Sequence, residues 1–183
     1  MEFRETKIKG LFEITPKVFH DERGYFFETF SDRLFKSHVA DVNFVQDNQS
    51  YSTKGVLRGL HLQKPPFAQG KLVRVISGSV IDVAVDIRLG SPTFGQYESF
   101  LLTAEKQNMV YVPEGFAHGF ATIEDAVFTY KCTNYYDKAS EAGIIFNDPE
   151  LNIDWGIENP LVSEKDLELP SLKQFLSYQN KAY

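Results

Sequence analysis

A single cysteine, Cys132, stands in a chain of 183 residues. One thiol excludes an internal disulfide and any zinc site built from cysteines. No apolar run approaches the roughly 18 residues that a membrane-crossing helix needs, and the first ten residues (MEFRETKIKG) hold no apolar signal core. These absences predict a soluble, cytoplasmic protein. Surplus positive charge is also missing: 19 Lys and Arg face 25 Asp and Glu, for a formal net charge of −6. That balance argues against a nucleic-acid or anionic-membrane partner. An anionic ligand would have to be met by a local basic cluster. No Gly-rich dinucleotide fingerprint occurs, which disfavours chemistry on a nicotinamide cofactor. Repeats, low-complexity tracts and interdomain linkers are absent as well.

What is present reads as one β-rich domain over residues 1–183. The composition is 43% hydrophobic, with 16 Phe and 9 Tyr, enough for a real core and for aromatic surface that could stack on a ligand. Lys71–Ile76 and Val80–Arg88 are β-branched runs separated by Ser77-Gly78-Ser79, which predicts a hairpin. Ile81, Val83, Val85 and Ile87 alternate with Asp82, Ala84 and Asp86, the period of a strand with one buried face. Further strands are expected at Glu98–Thr103, Met109–Val112 and Ala126–Asn134. Helical periodicity is confined to Ser31–Val39, with Ser31 as N-cap, and to Leu172–Tyr178 after Pro170. Residues 147–169 are Pro-, Asp- and Asn-rich and read as irregular. Many short, closely spaced strands suggest a sandwich or barrel.

Val56–Val75 (VLRGLHLQKPPFAQGKLVRV) carries the densest chemical signal. It sets His61 between two cations, Arg58 and Lys71, in otherwise apolar, strand-forming sequence. Buried cations are costly unless an anion pairs with them, so a substrate enolate or phosphate is one reading. A satisfied core histidine with two surface cations is the other. Strand phase puts Gly59, His61 and Gln63 on one face and Leu60 and Leu62 on the other. Arg58 is then out of phase with His61, and Gly59 permits the bulge or bend that would bring both to one pocket. Phe128, Tyr130, Cys132, Asn134 and Tyr136 share a face, with Tyr130 and Tyr136 roughly 20 Å apart if the strand is unbroken. Other segments have plain readings in isolation. Asp21–Glu28 (DERGYFFE) is a turn leading into a strand, Gln46–Asn48 a polar loop, His118 a residue of a Gly-bounded turn, and Ser163–Asp166 a solvated turn. Arg74, His20 and His38 read as structural or surface residues.

Together these segments resemble the dTDP-4-dehydrorhamnose 3,5-epimerase family, in order over nearly the whole chain. The carriers are DERGYFFE (21–28), VQDN (45–48), VLRGLH (56–61), PPFAQGKLVRV (65–75), VPEGFAHGF (112–120), YKCTNYY (130–136) and SEKD (163–166). Leu62 departs from the family, many members having an aromatic after the histidine. Because residue 62 should face away from His61, this departure is expected to alter packing more than chemistry. The resemblance implies an all-β fold, a cupin or jelly-roll-type antiparallel β barrel with a few short helices. It implies a homodimer, no metal and no organic cofactor. It also implies the conversion of dTDP-4-dehydro-6-deoxy-α-D-glucose to dTDP-4-dehydro-β-L-rhamnose, a step toward dTDP-L-rhamnose and cell-surface polysaccharide.

By the same resemblance, His61 is the base, Asp166 the carboxylate that orients it, Lys71 the cation near the C4 oxygen, and Tyr130 the acid. A C4 ketone acidifies the protons at C3 and C5. An imidazole of reference pKa about 6.5 suits their removal, and a phenol of about 10 keeps its proton at neutral pH. Arg23, Glu28, Gln46, Asp47, Asn48, Arg58, His118, Glu141 and Lys165 would line the sugar and diphosphate site. Tyr136 and Phe26 would stack on or wall the thymine. The Arg23–Glu28 strand is expected from the partner subunit. Rival readings are a mono-epimerase inverting only C3 or C5 of a related sugar, a metal-dependent cupin, and a barrel that binds without catalysis. The metal reading lacks its usual second histidine, since His61 is followed by Leu62 and Gln63.

Overall fold

The computed structural model describes residues 1–179. In chain order the strands are β1 (Glu2–Glu5), β2 (Phe12–Thr15), β3 (Phe19–Asp21), β4 (Gly24–Phe26), β5 (Gln46–Ser52), β6 (Val56–Gln63) and β7 (Lys71–Ser77). They continue with β8 (Ser79–Asp86), β9 (Tyr97–Thr103), β10 (Met109–Val112), β11 (Phe116–Thr122), β12 (Ala126–Cys132), β13 (Glu141–Gly143) and β14 (Leu161–Val162). Three helices are described: α1 (Asp32–His38), α2 (Glu164–Leu167) and α3 (Leu172–Gln179). None is long and apolar enough to cross a membrane.

The strands sort into two facing sheets, ordered β1-β2-β10-β7-β12-β5 and β13-β6-β11-β8-β9, with β14 added parallel to β6 and a small β3–β4 hairpin apart. Apart from β14, every pairing is antiparallel. This is the jelly-roll-type arrangement expected, but among the described residues strand pairing runs only within each sheet, so the barrel is not closed.

Three apolar clusters follow from strand phase. Val73, Val75, Val80, Ala84, Leu102, Val110, Phe120 and Phe128 meet between the sheets. The outer face of the β6-β11-β8 sheet (Leu57, Leu60, Val83, Val85, Ala121) is covered by the C-terminal segment through Ile144, Leu151, Trp155, Leu172 and Phe175. The outer face of the other sheet is partly covered by α1, where Phe35 packs on Leu72, Met109 and Tyr111. Removing Phe128, 1% exposed at the centre, would cost about 3–5 kcal/mol.

Four sequence expectations are corrected here. Ser77-Gly78-Ser79 is no hairpin turn: β7 and β8 belong to different sheets, and Gly78 is the corner between them. Its φ of +77° and the Asp125 carbonyl, with which any Cβ would collide, explain the glycine. β8 is buried on both faces, because its second face looks into the space between the sheets: Asp82, Ala84 and Asp86 are each 0% exposed. Asp86 offsets that burial by accepting from Arg88, Ser91 and Thr93. The strand over 126–134 ends at Cys132, and residues 147–169 contain β14 and α2 rather than being wholly irregular. Both expected helices are found, at α1 and α3, although the Ser31 side chain makes no capping bond.

Candidate active site

β6 is bent at Gly59, where φ is +110° and an added Cβ would lie 2.7 Å from Gly119 Cα and from the His118 carbonyl oxygen. Gly119 is equally tight, its Cβ position being 2.6 Å from Arg58 O. Only paired glycines let β6 and β11 approach this closely, and their register slips between His118 and Phe120. The slip has a chemical consequence. Leu57 and Leu60 both turn to the outer cluster, while Arg58 and His61 both turn inward. The convergence expected of Gly59 is therefore present.

The inner face opens into a cavity of about 180 Å³ lined by Ser50, Arg58, His61, Lys71, His118, Phe120, Phe128 and Tyr130 among others. An outer chamber of about 320 Å³ shares His61, Lys71 and Tyr130 with it and adds Gln46, Asn48, Gln63, Gln69, Tyr136 and Glu141. His61 Nε2 lies 2.7 Å from Asp166 Oδ1, and Asp166 Oδ2 accepts the Gly59 N–H at 3.0 Å. The segment Ser163–Asp166, read from sequence as a solvated turn, is the start of α2, with Ser163 Oγ accepting Asp166 N–H and Asp166 only 3% exposed. Burial on its own would raise the Asp166 carboxyl; the bonds from His61, Gly59 and Ser163 outweigh it and hold the group below the ordinary aspartate value.

Lys71 keeps an opening to the cavity, yet its ammonium is enclosed by protein. That burial lowers its pKa, against the opposing pull of Cys132, Asp82 and Glu141. The ammonium lies 6.0 Å from the centre of the Tyr130 ring. Burial also raises the Tyr130 phenol, with Cys132 adding to it and Arg58 opposing, so the phenol is protonated at neutral pH. Arg58 Nε donates to Ser52 Oγ at 3.0 Å, which aims its guanidinium.

His118 stands in the middle of β11, 6% exposed, with Nε2 2.8 Å from Asp82 Oδ2. It is neither in a turn nor solvated, because the turn signal Pro113-Glu114-Gly115 ends just before the strand. Gln46–Asn48, read as a loop, begins β5. Strand phase turns Gln46, Asn48 and Ser50 inward, but Asp47 projects from the opposite face and pairs with Lys131 at 2.8 Å. Asp47 is thus not brought to the cavity. Tyr136 is, because the chain turns after Cys132, so Tyr130 and Tyr136 border one chamber instead of standing a strand's length apart. Tyr136 OH donates to Glu141 Oε2 at 3.1 Å, and Lys165 Nζ to Glu141 Oε1 at 2.5 Å. Arg23, Phe26 and Glu28 do not reach this cavity within the chain. Arg23 and Phe26 lie on the exposed β3–β4 hairpin, and Glu28 follows it, exposed as well.

Sequence reading missed Ser50, Gln63, Gln69, Phe120 and Phe128 as cavity residues, and Asp82 as the partner of His118. A period-2 reading of Gln46–Ser52 would have found Ser50 and set Asp47 aside. Leu62 packs in the outer cluster, as expected, and also borders the outer chamber. His20 and His38 are surface residues, and Arg74 is half-buried on the outer face of its sheet, 5.9 Å from the Phe27 ring centre. Among the described residues no three His, Cys, Asp or Glu side chains gather as a metal-ligand set.

The family model for dTDP-4-dehydrorhamnose 3,5-epimerase matches residues 5–174. A curated dTDP-4-dehydrorhamnose 3,5-epimerase of Shigella flexneri is 53% identical over 165 residues, covering 89% of this chain and 91% of its own. The crystal structure of the Elizabethkingia anophelis enzyme of that name superposes with a TM-score of 0.91 at 49% identity, covering 95% of this chain and 97% of the other. A Legionella pneumophila dTDP-6-deoxy-D-glucose-3,5-epimerase, solved in complex with dTDP-4-keto-L-rhamnose, gives a TM-score of 0.91 at 47% identity, with 94% and 93% covered. The chain therefore belongs to the dTDP-4-dehydrorhamnose 3,5-epimerase family, a family of isomerases.

Proposed function

We propose that this protein converts dTDP-4-dehydro-6-deoxy-α-D-glucose to dTDP-4-dehydro-β-L-rhamnose by removing and returning protons at C3 and C5, without a cofactor. The observation that carries this reading is the meeting of His61, Lys71 and Tyr130 on one cavity, with His61 held by a buried carboxylate. A carboxylate only accepts hydrogen bonds, so Asp166 selects the His61 tautomer with hydrogen on Nε2 and leaves the lone pair on Nδ1 as the base. The imidazolium formed on abstraction is then paired with Asp166. Negative charge develops on the C4 oxygen, where the Lys71 ammonium stabilises it in a site screened from water. Tyr130, on the facing sheet, delivers a proton from the other side of the ring. Arg58 and His118 meet the sugar and diphosphate, and Tyr136 stacks on the thymine. The ligand of the Legionella relative, dTDP-4-keto-L-rhamnose, is the product of this reaction and supports the substrate assignment.

The exposed β3–β4 hairpin supports a homodimer in which Arg23, Phe26 and Glu28 complete the partner's site. Phe26 is 72% exposed and Tyr25 59%, unusual for aromatics with no role across an interface. Mixing Arg23→Ala with His61→Asn chains should then restore activity, since one site of the heterodimer is intact. A mixture that stays inactive after verified subunit exchange would refute the shared site. A cytoplasmic location suits a nucleotide-sugar substrate destined for surface polysaccharide.

Incubation with dTDP-4-dehydro-6-deoxy-glucose in deuterated water, followed by NMR, tests the reaction. Solvent deuterium should appear at both C3 and C5 with both centres inverted. Label and inversion at one carbon alone would mean a mono-epimerase, and no label at either would overturn the proposal.

A further inference from the structure

The outer chamber depends on Tyr136, yet Tyr136 lies in no strand or helix. It sits in the irregular segment between β12 and β13, against the loop joining β6 to β7. Exposed loops of this kind are mobile unless their backbone groups are paired. Here one side chain does much of the pairing. Gln63, at the end of β6 and 6% exposed, donates through Nε2 to Tyr135 O at 3.0 Å and to Phe67 O at 2.6 Å, and accepts the Asp137 N–H on Oε1 at 2.8 Å.

Tyr135 O belongs to the peptide before Tyr136 and Asp137 N to the peptide after it. One amide thus holds both peptide units that flank the Tyr136 Cα. Donation to the carbonyl of residue i−1 and acceptance from the N–H of residue i+1 is how a neighbouring parallel strand pairs. The Gln63 amide imitates one residue of such a strand, and its third bond ties in the β6–β7 loop. Gln46 Oε1 accepts the Tyr136 N–H at 3.2 Å, and Glu141, directly across the β13–β6 ladder from Gln63, holds the phenol.

We propose that Gln63 is a positioning residue for Tyr136, fixing the ring against which the nucleotide base stacks and so setting affinity for the dTDP moiety. This rests on the reading of Tyr136 as the thymine platform. Gln63 carries none of the proton transfer, which belongs to His61 and Tyr130.

The test compares Gln63→Leu, Gln63→Glu and Tyr136→Ala by calorimetric binding of dTDP, by steady-state kinetics, and by backbone hydrogen exchange. Gln63→Leu should weaken dTDP binding and raise KM about tenfold, within the range a base–aromatic stack is worth by alanine substitution, while kcat changes less than about threefold. The Asp137 amide should exchange faster. The double variant with Tyr136→Ala should lose no more affinity than Tyr136→Ala alone. Gln63→Glu keeps the shape and the acceptor but loses both donated bonds, so it should show the same split if Gln63→Leu folds poorly. Wild-type dTDP affinity in both Gln63 variants, with Tyr136→Ala weakened, would overturn the positioning role and leave the thymine platform standing. Wild-type affinity in Tyr136→Ala would refute the platform and this inference with it. A fall in kcat equal to the rise in KM would assign Gln63 to the chemistry or to general folding, and would also overturn the proposal.

Discussion

His61 and His118 are direct partners across the β6–β11 ladder, both line the cavity, and each places Nε2 within 2.8 Å of an aspartate oxygen. Their surroundings differ in every other respect. The His61 side chain is 32% exposed and that of His118 only 7%. Asp166 reaches His61 from 105 residues away, on a short helix, with both oxygens bonded. Asp82 comes from the adjoining strand, is 0% exposed, and finds no partner for Oδ1 among the described residues. His118 is further walled by the Phe128 ring, 6.4 Å away and nearly parallel. On the function proposed above, the same pair of residue types serves as a base where the ring meets open cavity and as a fixed wall group where the ring is packed among aromatics. Exposure and the second bonds of the carboxylate are what distinguish the two pairs.

Replacing the histidines should separate the pairs most. His61→Asn is expected to lower deuterium wash-in at both C3 and C5 by about three to four orders of magnitude, the upper range for a lost general base, with dTDP affinity within several-fold. His118→Asn should instead act mainly through binding. Rapid C5 exchange in His61→Asn, followed by NMR, would show another group to be the base.

Removing the carboxylate charges should give a smaller but parallel contrast. Asp166→Asn should cost about a hundredfold in exchange rate, short of the roughly ten-thousandfold seen when an orienting aspartate is neutralised in a serine-protease triad. Asp82→Asn should cost only about tenfold, as for a group that orients another. Equal losses in the two variants, measured side by side, would erase the distinction drawn between the pairs.

Tyr130 sharpens the comparison from the other side of the substrate. In Tyr130→Phe, His61 can still remove a proton and return a deuteron to the same face. C5 inversion should therefore fall about a hundredfold more than exchange. Coupling constants report the configuration and loss of the proton signal reports exchange, so equal falls in both would place Tyr130 in enolisation or binding instead.

The smallest expected effect is on stability. The Asp166 carboxyl is held below its ordinary value in the fold, so the ionised form favours the native state. Its contribution is fully present above the unfolded value of about 3.9 and is lost as pH falls through the lower folded value. Wild type should exceed Asp166→Asn by about 1 to 3 kcal/mol at pH 6 in urea unfolding, the scale of hydrogen bonds to a charged group. That margin should shrink below about pH 4. A margin that grows on acidification would contradict the assigned direction.

The residue types and local periods of this chain determine six of its fourteen described strands and the helices α1 and α3, and they set His61 between Arg58 and Lys71; the resemblance to the family is what adds Tyr130 to that set. Alternation is a short-range property, and Lys71–Ile76, Met109–Val112 and Glu98–Thr103 carry it plainly enough for their strands to be located within a residue or two. Order and spacing of short motifs likewise point to the family without any coordinates. Tertiary structure alone decides which strands face each other, since whether Gly78 closes a hairpin or turns a corner between sheets depends on where Asp125 arrives. It alone turns Asp47 outward, draws His118 into a buried strand, brings Tyr136 back beside Tyr130, and carries Asp166 from a polar, solvent-like sequence to a buried bond with His61. The reason is range. A side chain's local pattern tells which way it leans, while burial and partnership are set by segments a hundred residues distant that the pattern does not contain.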